Sequence, residues 1–373
     1  MNKKLILFIV PLVLSLTSCQ QETKKNFVAG PDLTLTSIEM MERYGEATLI
    51  QYGSYDILVD SGTSRDANHI KEVLNTKVVD KTIDMFVVTH PHGDHIGGVI
   101  NGCLDSFKIS TIVDYGYTYV TNENGAIENS AYVSNYTNWR DAQISSGTKY
   151  YAITDALKEI PTVTINKEED CYIKWLKNDY YVAKGKAFPN SDIPSDNPNT
   201  TSVSFYLQYK NWNILMCGDA DSTFTEMSIM NNYPKLFQSK EERVLLKATH
   251  HGSNSSMGAA FLDWCQPDII YVSAAMVDGV CIPNQVTFGT DNSQQSHPDR
   301  STVKRMANRL DQVYWNGING DLIMSVDGVN DPTVIGLGRS KNYYQINGEP
   351  ASINAEKNAT LFESEFYKYF TKK

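Results

Sequence analysis

The amino-acid sequence predicts a layered α/β protein built on mixed sheets, and three observations carry that prediction. Strand-like runs at 33–39, 47–51 and 55–59 come first and lie close enough to pair as hairpins. Further strand-like runs then alternate with helical patterns. The composition, 41% hydrophobic and 20% charged over 373 residues, supplies a sizeable core and excludes a disordered, collagenous or coiled-coil chain.

In order along the chain, the later strand-like runs fall at 83–89, 109–115, 172–176, 202–209, 213–217, 244–248 and 269–273. Between several of them the apolar residues take helical spacing, at 65–75, 222–230, 259–264 and 300–310. No repeat or low-complexity block interrupts the pattern, and 188–201, rich in Pro, Asn and Asp, is turn-forming. The stretches 117–170 and 177–201 are expected to sit over a site as insertions. Residues 351–373 mix Glu, Lys, Phe and Tyr and are expected to form an appended helix without chemistry.

At the N-terminal end Lys3 and Lys4 precede an apolar run, 5–16, that falls short of the roughly 20 residues a membrane span needs. A basic start, an apolar stretch and small residues before a cut make a secretory signal. Leu16-Thr17-Ser18-Cys19 resembles the bacterial lipobox, whose cysteine becomes the lipidated first residue. The expected organisation is a signal over 1–18, lipidated Cys19 and a polar tether over 19–32, one main domain over 33–345 and a tail over 346–373. The expected place is an exported bacterial lipoprotein held by membrane lipid through Cys19. Gln20 in place of an Asp favours the outer membrane or cell surface. Cys103, Cys171, Cys217, Cys265 and Cys281 show no CxxC spacing, so neither a disulfide framework nor a zinc finger is indicated. The net charge of -10 argues against a stable complex with nucleic acid. No phosphate loop, nucleophile elbow or dinucleotide fingerprint is present, and no second apolar span would build a membrane channel.

The strongest chemical signal is His90-Pro91-His92-Gly93-Asp94-His95, directly after the apolar strand Met85-Phe86-Val87-Val88-Thr89. Three imidazoles and a carboxylate at a strand end are a ready ligand set for divalent metal. His90 and His92 share one side of a turn, and Asp94 and His95 can face a second ion. Asp219, also after a strand, can place one oxygen on each of two cations. Either imidazole of His250-His251 suits a ligand. His250, first off its strand, is the expected one, with His251 lining the pocket. Asp60 is expected to orient a ligating histidine. His297 is a candidate proton donor. His69 falls in a helical pattern and is expected to be a surface or packing residue. Tyr115, Tyr117 and Tyr119 follow a strand close to the expected site.

The hexad resembles the HxHxDH signature of the metallo-β-lactamase superfamily, and other segments agree in order. They are Val59-Asp60-Ser61-Gly62-Thr63, Leu215-Met216-Cys217-Gly218-Asp219 and Leu246-Lys247-Ala248-Thr249-His250-His251-Gly252-Ser253. The last form, with Ser296-His297-Pro298, Gly317-Ile318-Asn319-Gly320 and Asp327-Gly328, is similar to the hydrolase domain of ComEC/Rec2-type DNA-uptake proteins and their free-standing relatives. The resemblance spans about 33–328. It implies a four-layer αββα sandwich with metals at one edge between the sheets, and pocket side chains at Asn199 and Ser253.

The chain departs from the superfamily pattern at one point, because no histidine lies between His95 and Asp219. The expected ligands are then His90, His92 and Asp219 for one ion and Asp94, His95, His250 and Asp219 for the other. The cofactor expectation is one or two divalent cations. Fewer nitrogen ligands at the first position make manganese a competitor to zinc. The resemblance implies a metal-dependent hydrolase in which Asp94 and Asp219 handle the attacking water and His251 or His297 stands near the leaving group. A phosphodiester in nucleic acid or a phosphorylated cell-surface glycan is the expected substrate. A small ester, lactone or β-lactam is the alternative, and a non-catalytic metal- or glycan-binding surface module is the third reading.

Overall fold

Residues 28–41, 44–117, 131–188, 196–275, 297–339, 345–346, 349–350, 357–364 and 366–371 are described by the computed structural model. The signal segment with Cys19, and Tyr119 and Cys281, lie outside the described residues.

Strands β1 (Leu33–Ser37), β2 (Thr48–Tyr52) and β3 (Tyr55–Val59) form an antiparallel meander, as their close spacing predicts. Helix α1 (Ala67–Lys77) then crosses to the short β4 (Thr82–Ile83) and to β5 (Met85–Val87), which lies parallel to β3. Helix α2 (Gly93–Ile100) follows, with β6 (Lys108–Ile109) and β7 (Thr111–Asp114) beyond it. Helix α3 (Ala131–Ser145), β8 (Lys149–Ala152), α4 (Ile153–Glu159) and β9 (Thr162–Asn166) lead to the second sheet. That sheet continues with β10 (Cys171–Leu176), β11 (Ser204–Tyr209) and β12 (Trp212–Met216). After α5 (Thr225–Asn232) come β13 (Arg243–Lys247), α6 (Ala259–Cys265), β14 (Ile269–Val272), α7 (Arg300–Ala307) and β15 (Val313–Trp315). A single helical turn, α8 (Asn316–Asn319), returns the chain to the first sheet through β16 (Leu322–Val326) and β17 (Thr333–Gly336).

The first sheet runs β17-β16-β1-β2-β3-β5-β7-β8 and the second β15-β14-β13-β12-β11-β10-β9. Each is antiparallel over one half and parallel over the other. The inner faces pack on each other: Leu35, Ile57, Leu207, Ile214, Leu245 and Tyr271 share one core cluster. Alternation along β13 decides the layers, since Leu245 points inward while Val244 and Leu246 join the outer cluster with Phe261, Val303 and Met306 of α6 and α7. Helices α1 to α3 cover the outer face of the first sheet through Ile70, Ile96, Val99 and Tyr136, while α4 packs against β7 and β8 of that sheet and β10 of the other. The architecture is therefore an αββα sandwich of two mixed sheets flanked by helices.

Two expectations are corrected. Within 117–170, expected to be an insertion over a site, β8 closes one edge of the first sheet and β9 one edge of the second. Their edge positions, with residues of β9 only half-buried or exposed, erase the apolar signal that marks central strands. The tail also does more than append a helix. Leu361, Phe366 and Phe370 are buried in the outer cluster, and Asn319 Nδ2 donates to the carbonyls of Lys357 and Ala359. Cys103, Cys171, Cys217 and Cys265 are buried and unpaired. Among the described residues no helix is long and apolar enough to cross a membrane.

Candidate metal centre

The candidate residues leave the C-terminal ends of strands that run parallel to one another in the two sheets, so a single edge of the sandwich collects them. Asp60 follows β3, His90 follows β5, Asp219 follows β12, and His250 and His251 follow β13. Helix α2 carries Asp94 and His95 in its first turn. Gly97 and Gly98 let that helix press on the 61–64 loop: a Cβ on Gly97 would lie 2.5 Å from Ser64 N and one on Gly98 1.8 Å from Ser61 O.

Asp60 is fully buried and spends both oxygens on orientation. Its Oδ1 accepts from Thr89 N–H at 2.8 Å, and its Oδ2 accepts from the Thr89 hydroxyl at 2.7 Å and lies 2.7 Å from His95 Nδ1. A carboxylate only accepts, so His95 Nδ1 carries the proton and Nε2 faces the site. On the opposite wall His251 Nδ1 is 2.8 Å from the carbonyl oxygen of Ser273, which fixes the same tautomer there. Asp60, His250 and His251 all adopt left-handed backbone, with φ of 55°, 46° and 52°. Such strain costs about 1–3 kcal/mol per residue and gathers where side chains must be aimed.

Two donor clusters result. Asp94, His95, Asp219 and His251 bring one ligand atom each within 4.8 Å of all the others, and so do His90, His92 and Asp219. Asp219 Oδ1 lies 3.2 Å from His95 Nε2 and 3.3 Å from His251 Nε2, while Oδ2 lies 3.7 Å from His90 Nε2. Asp94 Oδ2 is 3.6 Å from His251 Nε2, and His90 Nε2 is 3.0 Å from His92 Nδ1. Asp219 Oδ1 is buried and makes no hydrogen bond of acceptable geometry among the described residues. Imidazole nitrogens and carboxylate oxygens converging in one buried space form a donor set that fits one or two divalent metal ions.

The electrostatics agree. Burial alone would raise Asp219, but His251, His95 and His250 hold its carboxyl well below the ordinary range. Burial pushes His90 and His251 well below the usual imidazole value and His92 down to about 4, so neutral nitrogens face the site. Burial also works against a charged His95, but Asp219 and Asp60 outweigh it and raise that imidazole. Beneath Asp219 the fully buried Lys247 Nζ lies 3.2 Å from Glu46 Oε2 and 3.7 Å from Asp219 Oδ1. Those carboxylates keep the ammonium charged against the cost of burial.

The order within His250-His251 is reversed from expectation. His251, not His250, joins the cluster with Asp94, His95 and Asp219. Two successive left-handed residues swing the first ring toward Asn199, whose Nδ2 is 3.2 Å from His250 Nε2, and return the second ring over Asp219. His297 arrives beside both, its ring centroid 5.4 Å from His250, 6.1 Å from His251 and 4.4 Å from Tyr44. Asn199 is brought to the site, but Ser253 is 5% exposed and belongs to the turn, its N–H donating to His250 O and its Oγ 3.2 Å from Ser255 Oγ. Tyr115 and Tyr117 are fully buried and offer no open face, and His69 is spent on Asp321, 2.8 Å away. Asp221 Oδ1 accepts from the N–H groups of Thr223 and Phe224 in the turn that leads into α5. Thr89, Ser273, Lys247 and Tyr44 were not foreseen in these roles, because each acts through a contact distant in sequence.

The 249–258 turn is fastened from both sides. Glu226 of α5, fully buried, accepts from the Thr249 hydroxyl at 2.7 Å and the N–H groups of Met257 and Gly258 at 2.7 and 2.9 Å. Arg305 of α7 donates to the carbonyls of Ser256 and Met257 at 2.8 and 3.0 Å. Burial pushes the Glu226 carboxyl up to about 7, above the ordinary 4.5. The folded chain therefore holds an extra proton between those values, and stability falls as pH rises through that window, by on the order of 3 kcal/mol. Glu226→Gln is expected to remove this slope, while leaving a buried donor unmet at a pH-independent cost of about 1–3 kcal/mol. Urea unfolding of both proteins from pH 4.5 to 7.5 reads it; a wild-type-minus-variant difference that stays flat refutes the assignment.

A cleft of about 420 Å³ opens at Asp94, lined by Tyr44, Thr63, Ser64, Arg65 and Tyr132. Asp94 is thus shared between the donor cluster and the cleft.

The family model of the metallo-beta-lactamase superfamily matches residues 41–263, a span that contains both donor clusters. No curated protein sequence matches the chain. Among solved structures, the metallo-beta-lactamase fold protein YhfI from Bacillus subtilis is similar at 12% identity and a TM-score of 0.44, over 79% of this chain and 99% of that one. A diphosphatase from the PhnP family is similar at 13% identity and 0.36, over 65% of this chain and 86% of that one. The short form of human tRNase Z is similar at 14% identity and 0.36, over 65% and 92%. The family match over more than half of the sequence, with the His/Asp clusters assembled inside it, means that this chain belongs to the metallo-beta-lactamase superfamily and is a metal-dependent hydrolase.

Proposed function

We propose that the chain is an exported, lipid-anchored phosphodiesterase of the ComEC/Rec2-like branch, acting on nucleic acid or a phosphorylated cell-surface glycan. The observation that carries the reaction class is Asp219, whose two oxygens face two separate donor clusters. That arrangement suits two cations held side by side around an in-line displacement at phosphorus. The cleft beside Asp94, with Arg65 among its lining residues, supports an anionic substrate. Export and attachment through Cys19 rest on the N-terminal sequence.

When bound, zinc or manganese supplies an acidified water and an electrophile for the charge that builds on the phosphate. His90 and His92 would hold one ion and His95 and His251 the other, each imidazole of the second pair being locked by its outer hydrogen bond. Asp94 orients the attacking water and takes its proton. Arg65 holds a phosphate oxygen at the cleft. As the water oxygen bonds to phosphorus, the bond to the leaving oxygen breaks, and His297 passes that oxygen a proton.

The test is hydrolysis of bis-p-nitrophenyl phosphate by the full chain with zinc or manganese, beside nitrocefin and a p-nitrophenyl ester. Metal-dependent release from the phosphodiester, abolished by chelation, is expected. A folded, metal-holding protein that is inert toward it with both ions overturns the reading, and turnover of the ester or nitrocefin moves the substrate to that class. In a bacterial host Cys19→Ala is expected to move the chain out of the membrane fraction; retention there overturns the lipid anchor.

A further inference from the structure

The cluster of His90, His92 and Asp219 has three protein ligands, and the histidine that the superfamily pattern would add is absent from the sequence. We propose that Asn199 completes this cluster with its side-chain carbonyl oxygen, and that this oxygen makes the cluster favour manganese over zinc. The proposal rests on the two-cluster reading of the centre and not on the nature of the substrate.

Asn199 is 3% exposed, and its buried Oδ1 makes no hydrogen bond of acceptable geometry among the described residues. The amide stands between two imidazoles of the site. Its Nδ2 is 3.2 Å from His250 Nε2, and the side chain also contacts His92. His250 Nε2 and His90 Nε2 are each 3.7 Å from Asp219 Oδ2, which puts the amide at the rim of the same cluster. With the NH2 group committed to His250, the carbonyl is the group left for a cation. A buried carbonyl whose hydrogen bonding is incomplete has lone-pair capacity left for a further partner.

The local backbone holds Asn199 there. It lies in the 3-10 turn Pro198–Thr201, whose start is capped by Asn197 Oδ1 accepting Asn199 N–H at 3.0 Å. The next carbonyl, of Thr200, accepts from Asn178 Nδ2 at 2.8 Å and from Thr225 Oγ1 at 3.0 Å. Thr201 Oγ1 donates to Pro198 O at 2.8 Å. A position so fastened is pre-organised for a ligand. Two nitrogens, a carboxylate oxygen and an amide oxygen form a harder set than three imidazoles, and carbonyl and carboxylate oxygens suit manganese.

The test titrates the metal-free full chain with manganese and reads the free ion by electron paramagnetic resonance, without substrate. The wild-type chain is expected to take two ions, Asn199→Ala one, and Asn199→Asp two, because the aspartate restores the oxygen. Asn199→His is expected to shift manganese–zinc competition toward zinc by roughly tenfold or more. Circular dichroism of the metal-free variants checks their folds, and if Asn199→Ala does not fold, the Asp and His variants decide the matter. Asn199→Ala binding two manganese ions as tightly as wild type overturns the proposal. So does Asn199→Asp losing an ion, an unchanged preference in Asn199→His, a wild-type chain that takes one ion, or loss of the second ion in His250→Ala but not in Asn199→Ala. Failure of the phosphodiesterase reading is separate: turnover is then absent with both ions while the binding pattern persists.

Discussion

Asp219→Ala is expected to abolish hydrolysis, lowering kcat by on the order of 10³-fold or more, and to strip the chain of most of its metal. The reason is that one carboxylate serves both clusters: its Oδ1 meets His95 and His251 and its Oδ2 meets His90. No other group in either cluster is shared. Removing it also leaves Lys247 with Glu46 as its remaining carboxylate partner in the buried layer beneath. Steady-state kinetics with metal analysis of the dialysed protein reads both effects. The loss should fall on kcat more than on KM if substrate enters by the cleft at Asp94, whose lining includes Arg65, Tyr44 and Tyr132 and not Asp219. Two tightly held ions or near-normal turnover in the variant would exclude the bridging role.

His251→Ala and His250→Ala should separate by about tenfold or more, in favour of His250→Ala retaining activity. His251 faces Asp94, His95 and Asp219 and is braced by the Ser273 carbonyl. His250 is turned toward Asn199, with its Nε2 3.7 Å from Asp219 Oδ2. Loss of His251 removes one of the four donors of that cluster. Loss of His250 leaves both sets of cluster residues in place. Metal stoichiometry of the two variants decides the matter independently of rate, and equal loss in both would restore the simpler expectation that the first histidine off the strand binds.

Much of the centre was legible in sequence because its residues are packed into short segments after strands. His90, His92, Asp94 and His95 span six positions behind an apolar run, and that density survives any uncertainty about the fold. Asp60 and Asp219 were legible only beside that cluster, since an acidic residue after a strand by itself suits a turn or a helix cap equally well. The structure puts Asp60 behind His95 and Asp219 among His90, His95 and His251. Edge elements were harder. β8 and β9 carry weak apolar patterns because one side of each has no neighbouring strand, so 117–170 resembled an insertion. The buried anchors of the tail, Leu361 and Phe370, were hidden because isolated aromatic and aliphatic residues show no periodicity in so short a segment.

The sequence by itself determined the chemistry of the centre: a nitrogen- and carboxylate-rich donor set at strand ends, set in a layered α/β frame. Only the tertiary structure decided which donors share an ion. Ligand type is a local property of residue and spacing. Ligand direction depends on backbone torsions and on partners far along the chain. The left-handed turn at His250 and His251, the Ser273 carbonyl behind His251 and the Glu226 and Arg305 contacts that fasten the turn chose His251 over His250. Asp60, 35 positions from His95, chose the nitrogen that His95 presents. Those contacts exist only once the two sheets have packed and their strand ends meet.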